Sequence, residues 1–438
     1  MSLPPRFFTR LARQRDDEKG TITLLALFMV IITLMTSAFA IDFSYLQASR
    51  TQLQVAADRA AHAALYYRER NSANDAKLKA IEMASYDMPD ERYGYVLRPE
   101  NIEFGSWDYN TQTFTPDATS LEAVRVRTAR RSDNGNSVTA YLFAVLDARD
   151  WDITTEAVFV TFQPPCLREG FVADGIVDIQ SNNGFSNGFC VHSNTYVSLN
   201  SNNYFEGGTI VSMPDLNELD LPKSGFETNE GLQVALRRGY YRLRVLGQIE
   251  DIEADLLAGY GEHVPDYITS SIHETVSDKK FNNDNLVENR INILECTGAK
   301  GTIEMNTHLK NMVLFTDCEL QFGQGVILED VLVFNQATGA KSINSPSGFQ
   351  IGVNDDCADG GGSQIVTRGG VDVASDLQIY GGQIIALGDI EFAANANGIQ
   401  GASLISAQEI SGTSNMDMGF CGSGMEDNFA ADYFRLAL

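Results

Sequence analysis

The strongest constraint on this chain is a run of twenty-one uncharged residues, 21–41 (TITLLALFMVIITLMTSAFAI), which opens at Thr21, passes Leu25 and closes at Ile41. At 1.5 Å per residue a helix of that length reaches about 31 Å, enough to cross the hydrocarbon core of a bilayer. It predicts a membrane anchor. No Pro or Gly separates it from the Ala-rich run that follows, in which Leu46, Leu53 and Ala60 recur one heptad apart with Ala57 and Ala64 beside them. That spacing predicts one helix leaving the membrane and carrying an apolar stripe into a soluble domain.

The flanks set the orientation. Arg6, Arg10, Arg13, Arg15 and Lys19 precede the anchor, whereas Arg50 is the first basic residue after it. The bias predicts a cytoplasmic N terminus and an exported bulk. Residues 1–41 hold five of the 32 basic and three of the 58 acidic residues, so 27 and 55 lie beyond, a net charge of −28. Such an acidic ectodomain makes a poor nucleic-acid binder, because phosphate contacts need clustered Lys and Arg. All six cysteines (Cys166, Cys190, Cys296, Cys318, Cys357, Cys421) lie on the exported side, an even number suited to disulfides in an oxidising compartment. Sequential pairing is the working expectation.

Gly20 before the apolar run, Asp42 at its exit, then Arg50, Leu53-Gln54, Ala56-Ala57-Asp58 and Ala60-Ala61-His62-Ala63-Ala64 together resemble the N-terminal region of TadG-like proteins of tight-adherence (Tad/Flp) pilus systems. The resemblance covers about the first 70 residues and extends more loosely to Phe162. It implies an accessory component of a pilus assembly machine involved in surface adhesion, sitting single-pass in a bacterial inner membrane. Its implied partners are the membrane, other pilus or pseudopilin-like subunits and the secretion platform, with no cofactor and no enzymatic activity.

Two processing events compete with a retained anchor. Ser37-Ala38-Phe39-Ala40 resembles a signal-peptidase site, but the apolar run is longer than a usual signal core. Cleavage after Gly20 would follow the prepilin pattern, yet the fifth residue after that cut is Leu25 where pilin-like subunits carry Glu. Without that carboxylate a new N-terminal ammonium would enter the membrane assembly unpaired, at a cost. Retention is the expectation.

The fold class read from the rest of the chain is α+β, mainly β. Residues 1–19 form a cytoplasmic basic arm, 20–41 the anchor, and 42–165 a pilin-like helix with a small antiparallel sheet. Within that region 72–87 has helical composition, Asp108-Tyr109-Asn110 marks a hairpin, and 121–130 and 153–162 read as strands. Residues 166–438 change texture: short apolar strands alternate with Gly, Asn and Asp every ten residues or so. That pattern fits a parallel β-helix, with a β-sandwich as the competing arrangement. Residues 215–290 read as a charged, largely helical insertion.

Chemistry-bearing motifs are sparse. Asp355, Asp356 and Asp359 gather in a Gly-rich loop and are a weak calcium candidate, but Cys357 stands where an EF-hand loop needs a ligand. His62, His192, His263, His273 and His308 are scattered without ligand spacing, and neither a P-loop nor C-x-x-C is present. Trp107 and Trp151 read as packing residues. The alternative function is a tethered protein that binds or cleaves a cell-envelope polysaccharide, which rests on fold analogy alone.

Overall fold

A computed structural model describes residues 21–142 and 150–438; the basic arm and Gly20 lie outside the described residues. The chain divides into two compact units, one holding the residues up to Phe162 together with Tyr433–Leu438, the other Gln163–Asp432.

In the first unit one helix, α1, runs unbroken over Thr21–Arg68. A second helix, α2 (Ala73–Asp87), starts where the Ser72 hydroxyl accepts the Asp75 N–H at 3.2 Å and stops at Met88, just before Pro89. Five antiparallel strands form a sheet in the order Thr113–Pro116, Ile102–Asp108, Ala123–Arg130, Ile153–Phe162, Tyr433–Leu436. The first hairpin turns at Asp108, whose carboxylate accepts the Asn110 and Thr111 N–H groups at 2.8 and 3.2 Å. Alternation along Ala123–Arg130 buries Val124, Val126 and Thr128 on one face, while Arg125 and Arg127 pair with Glu103 and Glu156 on the other. Trp107 sits opposite Phe114 and packs against its cluster, and Trp151 lies opposite Val138 in a two-stranded pair. The strand Tyr433–Leu436 is a finding the sequence did not signal: residues 433–438 belong to this unit and not to the second.

The second unit is β-rich and holds one large sheet of 25 strands, every assigned pairing parallel. Its strands lie in three stacks that the chain revisits about every twenty residues: Cys190 pairs with both Gly170 and Ile210, and Ser403 with Gln383. Gly, Asn and Asp at the corners supply left-handed backbone, among them Asn182, Asn202 and Asn415 at φ 63°, 63° and 65°. Phenylalanines stack inside, Phe185 on Phe205 at 4.7 Å and Phe322 on Phe349 at 4.4 Å between ring centroids. Buried Asn183 and Asn203 form a ladder in which each side-chain carbonyl accepts a backbone N–H of an adjacent strand.

The order of the strands differs from their order in sequence. Starting at Gly170–Ala173, the chain advances to Leu236–Arg238 at one end of the first stack. It restarts at His273–Asp278 at the opposite end and works back until Ser403 pairs with Gly170. Residues 239–272 connect the two ends. This connection replaces the expected helical insertion: only Ile249–Ala258 is a helix of any length, and the flanking parts of 215–290 supply strands to the stacks. Its Leu243, Val245, Ile249, Ile252 and Leu256 are apolar because they pack with Val172, Val366, Ile385 and Ile405, which point outward from the first stack. Those strands are therefore buried on both faces, whereas the second stack alternates, as in Val177–Ile179.

Candidate functional site

The anchor helix changes character at one residue. Residues 22–41 are exposed almost throughout, and the helix they open is long and apolar enough to cross a membrane. The hydroxyls inside it are satisfied locally: Thr33 donates to Met29 O at 2.7 Å, Thr36 to Ile32 O at 3.0 Å and Ser37 to Thr33 O at 2.7 Å. Asp42, at the end of this stretch, is fully buried, and its two carboxylate oxygens accept the N–H groups of Tyr141 and Leu142 at 3.1 and 2.9 Å. One turn on, Tyr45 meets the Tyr141 ring edge-on at 5.0 Å.

Beyond Asp42 the helix acquires a buried face. Leu53, Ala56, Ala57, Ala60, Ala61 and Ala64 are completely buried and share one core with Ala76, Ala80 and Ala84 of α2 and with Val124, Val126 and Ala157 of the sheet. Small side chains on both helices let their backbones come close. Polar ties fix the helix on the sheet: Leu53 O accepts the Thr128 hydroxyl at 3.1 Å, and the Gln54 amide donates to Asp58 at 2.8 Å and to Glu156 O at 3.0 Å. Arg59 pairs with Asp87 of α2 at 2.5 Å. The motif residues Asp42, Leu53, Gln54, Ala57, Asp58, Ala60 and Ala61 thus come together as the docking face of one helix. Thr21, Leu25 and Ile41 lie in its apolar stretch.

The other candidates disperse. Among the described residues no three His, Cys, Asp or Glu side chains come together as they would around a metal ion. Asp355 accepts the Ala358 N–H at 3.1 Å, and Asp356 and Cys357 take left-handed backbone, φ 60° and 62°, in a loop closed by the Cys357–Cys421 disulfide. Cys166–Cys190 and Cys296–Cys318 complete a sequential pairing, with Cα atoms 4.9 and 6.3 Å apart. His192 is buried between Ser212 and Asn194 at 2.7 and 2.9 Å, where desolvation holds it below the usual imidazole value. His263 meets Asp255 and His308 meets Glu329, each with one acid.

Sequence reasoning missed Glu169. It is buried where the first and last strands of the first stack meet, and its carboxylate accepts the Cys421 and Gly422 N–H groups at 2.7 and 2.5 Å. Burial still pushes its carboxyl above the usual value. No motif surrounds it, so only the fold reveals the role.

Residues 20–75 match the Flp pilus-assembly TadE/G-like family, and residues 170–422 match the family described as domain of unknown function DUF7867. No curated protein and no solved structure matches the chain. With the second match spanning more than half of its length, the chain belongs to the DUF7867 family, here carried behind the N-terminal segment of a TadG-like protein of Tad pilus systems.

Proposed function

We propose that this chain is a membrane-anchored accessory component of a Tad/Flp pilus assembly machine that supports surface adhesion. Its anchor sits in the bacterial inner membrane with the N terminus in the cytoplasm, and the rest of the chain works outside by contact and not by catalysis. The first unit is pilin-like and engages other pilin-like subunits or the secretion platform. The second is a parallel β-helix, a reading supported by Gly170 pairing in parallel with both Cys190 and Ser403. The observation that carries the proposal is the continuity of α1: the family-matched residues 20–75 include an exposed apolar stretch and a buried Ala stripe on one unbroken helix. A partner helix in the membrane would then be coupled through α1 to the helix and sheet of the first unit. Deleting the gene and counting surface pili tests this. Loss of pili or of attachment is expected, restored by the full chain; normal piliation and attachment would sink the proposal.

A further inference from the structure

One corner of the second unit carries four residues with left-handed backbone, Asn306, Gly325, Gly348 and Asp376, at φ 57°, 73°, 68° and 54°. They are stacked: the N–H of Gly325 donates to Gly348 O at 3.1 Å, and that of Gly348 to Ser375 O at 3.1 Å. Beside this corner the strands align Ile327 with Gln350, and Gln350 with Gln378, at one register. Corner and strands line an open groove of about 610 Å³, completed by Gln324 and Ser347. There is room beside this corner: a Cβ at Gly348 would meet nothing closer than Gly325 N at 3.4 Å.

The groove is chemically unlike the unit around it. Its lining offers the amides of Gln324, Gln350, Gln378 and Asn306 and the Ser347 hydroxyl, with Asp376 as the one carboxylate and no basic side chain. A primary amide both donates and accepts, which suits vicinal hydroxyls. Gln350 spends one N–H on Gly352 O at 2.8 Å, and Ser347 holds Asp376 at 3.0 Å, so these side chains are oriented before any ligand arrives. An anionic polymer would be repelled by the net negative charge outside the anchor, whereas an uncharged one would not. Neighbouring strands lie about 4.8 Å apart, close to the repeat of one sugar in an extended glycan. Gln350 and Gln378 therefore present one amide per sugar step.

We infer that this groove binds a neutral, extended polysaccharide along the stacked strands. The inference is independent of the pilus reading, which is read out in piliation. The test is native affinity electrophoresis of the full chain in a sugar-free detergent, with hydroxyethyl cellulose, galactomannan, a soluble β-1,3-glucan or polygalacturonate in the gel. Retardation by at least one neutral polymer is expected, with at least a tenfold loss of affinity in the Gln350→Ala, Gln378→Ala double variant and a clear loss in Gln378→Glu. Gln350 and Gln378 are half-buried, and an unchanged thermal midpoint separates lost binding from lost folding. No retardation by any neutral polymer, retardation by polygalacturonate alone, or affinity unchanged in both variants would overturn the inference.

Discussion

Asp42 Oδ2 accepts the Leu142 N–H at 2.9 Å across one hundred residues of sequence, where α1 leaves its apolar stretch. The bond joins the base of the anchor to the residues that follow the short strand Val138–Thr139. Asp42→Ala leaves the Tyr141 and Leu142 N–H groups without this acceptor, at a cost of about 1–3 kcal/mol. A lower thermal midpoint of the detergent-solubilised chain is expected, with faster cleavage by chymotrypsin at Tyr141 and Leu142, the two residues whose N–H groups lose their acceptor. Because the apolar stretch is untouched, membrane extraction behaviour should not change.

The Ala stripe makes an opposite kind of prediction. Ala57 and Ala60 are completely buried against α2 and the sheet, so Leu at either position forces extra methylenes into a filled space. Overpacking of this sort costs about 1–3 kcal/mol. Val55, on the same helix but 42 % exposed, serves as the control. Val55→Leu should leave the melting temperature within about 0.5 kcal/mol equivalent of the parent.

These two sites were legible because their signals are local. A helical period marks α1 and its buried face, and an apolar run followed by Asp42 marks the exit from the membrane. The strand Tyr433–Leu436 was not legible, since four residues carry no period and its partner Ile153–Phe162 lies about 270 residues away. Strand texture was readable in the second unit because corners demand Gly, Asn or Asp. Stacking order was not, because each twenty-residue repeat presents similar edges and nothing local tells Ser403 to pair with Gly170. Residues 232–256 looked helical because apolar residues recur at three- and four-residue spacing. Gly239 and Gly247 interrupt that run: Leu232 and Ala235 enter the inner core, whereas Leu243, Val245 and the buried stripe Ile249, Ile252 and Leu256 of the one helix cover the outer face of strands. The groove at Gln350 and Gln378 escaped notice because the two residues are 28 positions apart and only the stacking makes them neighbours.

The disulfides should rank by the chain they enclose. Separations of 24, 22 and 64 residues correspond, in the chain-entropy treatment, to about 3.4, 3.4 and 4.3 kcal/mol of denatured-state restriction. Cys357–Cys421 also holds the segment that Glu169 caps, so breaking it loosens the place where the first and last strands meet. The Cys357→Ser, Cys421→Ser double variant should lower the urea midpoint most. An equal or larger effect from removing Cys296–Cys318 would show that loop length does not dominate.

Acidity should stabilise the second unit before it harms it. Burial raises the carboxyls of Glu169, Asp330, Glu409 and Asp427, with neighbouring carboxylates adding to the effect for the last three. A group whose folded value is raised contributes stability that is fully present below its unfolded value and is lost as the pH rises through the folded value. Starting from neutral pH, acidification therefore returns that contribution first. Glu304 and Glu329 act in the opposite sense, because hydrogen bonds from Asn282 and Lys310 hold them low despite desolvation. Their contribution is lost only as the pH falls below the ordinary glutamate value of 4.5. The thermal midpoint should accordingly climb from pH 7 toward about pH 5 and then fall. Asp330→Asn should flatten the climb by removing one of the four groups, and a midpoint that declines steadily from pH 7 downward would contradict the assignment of raised carboxyls to this unit.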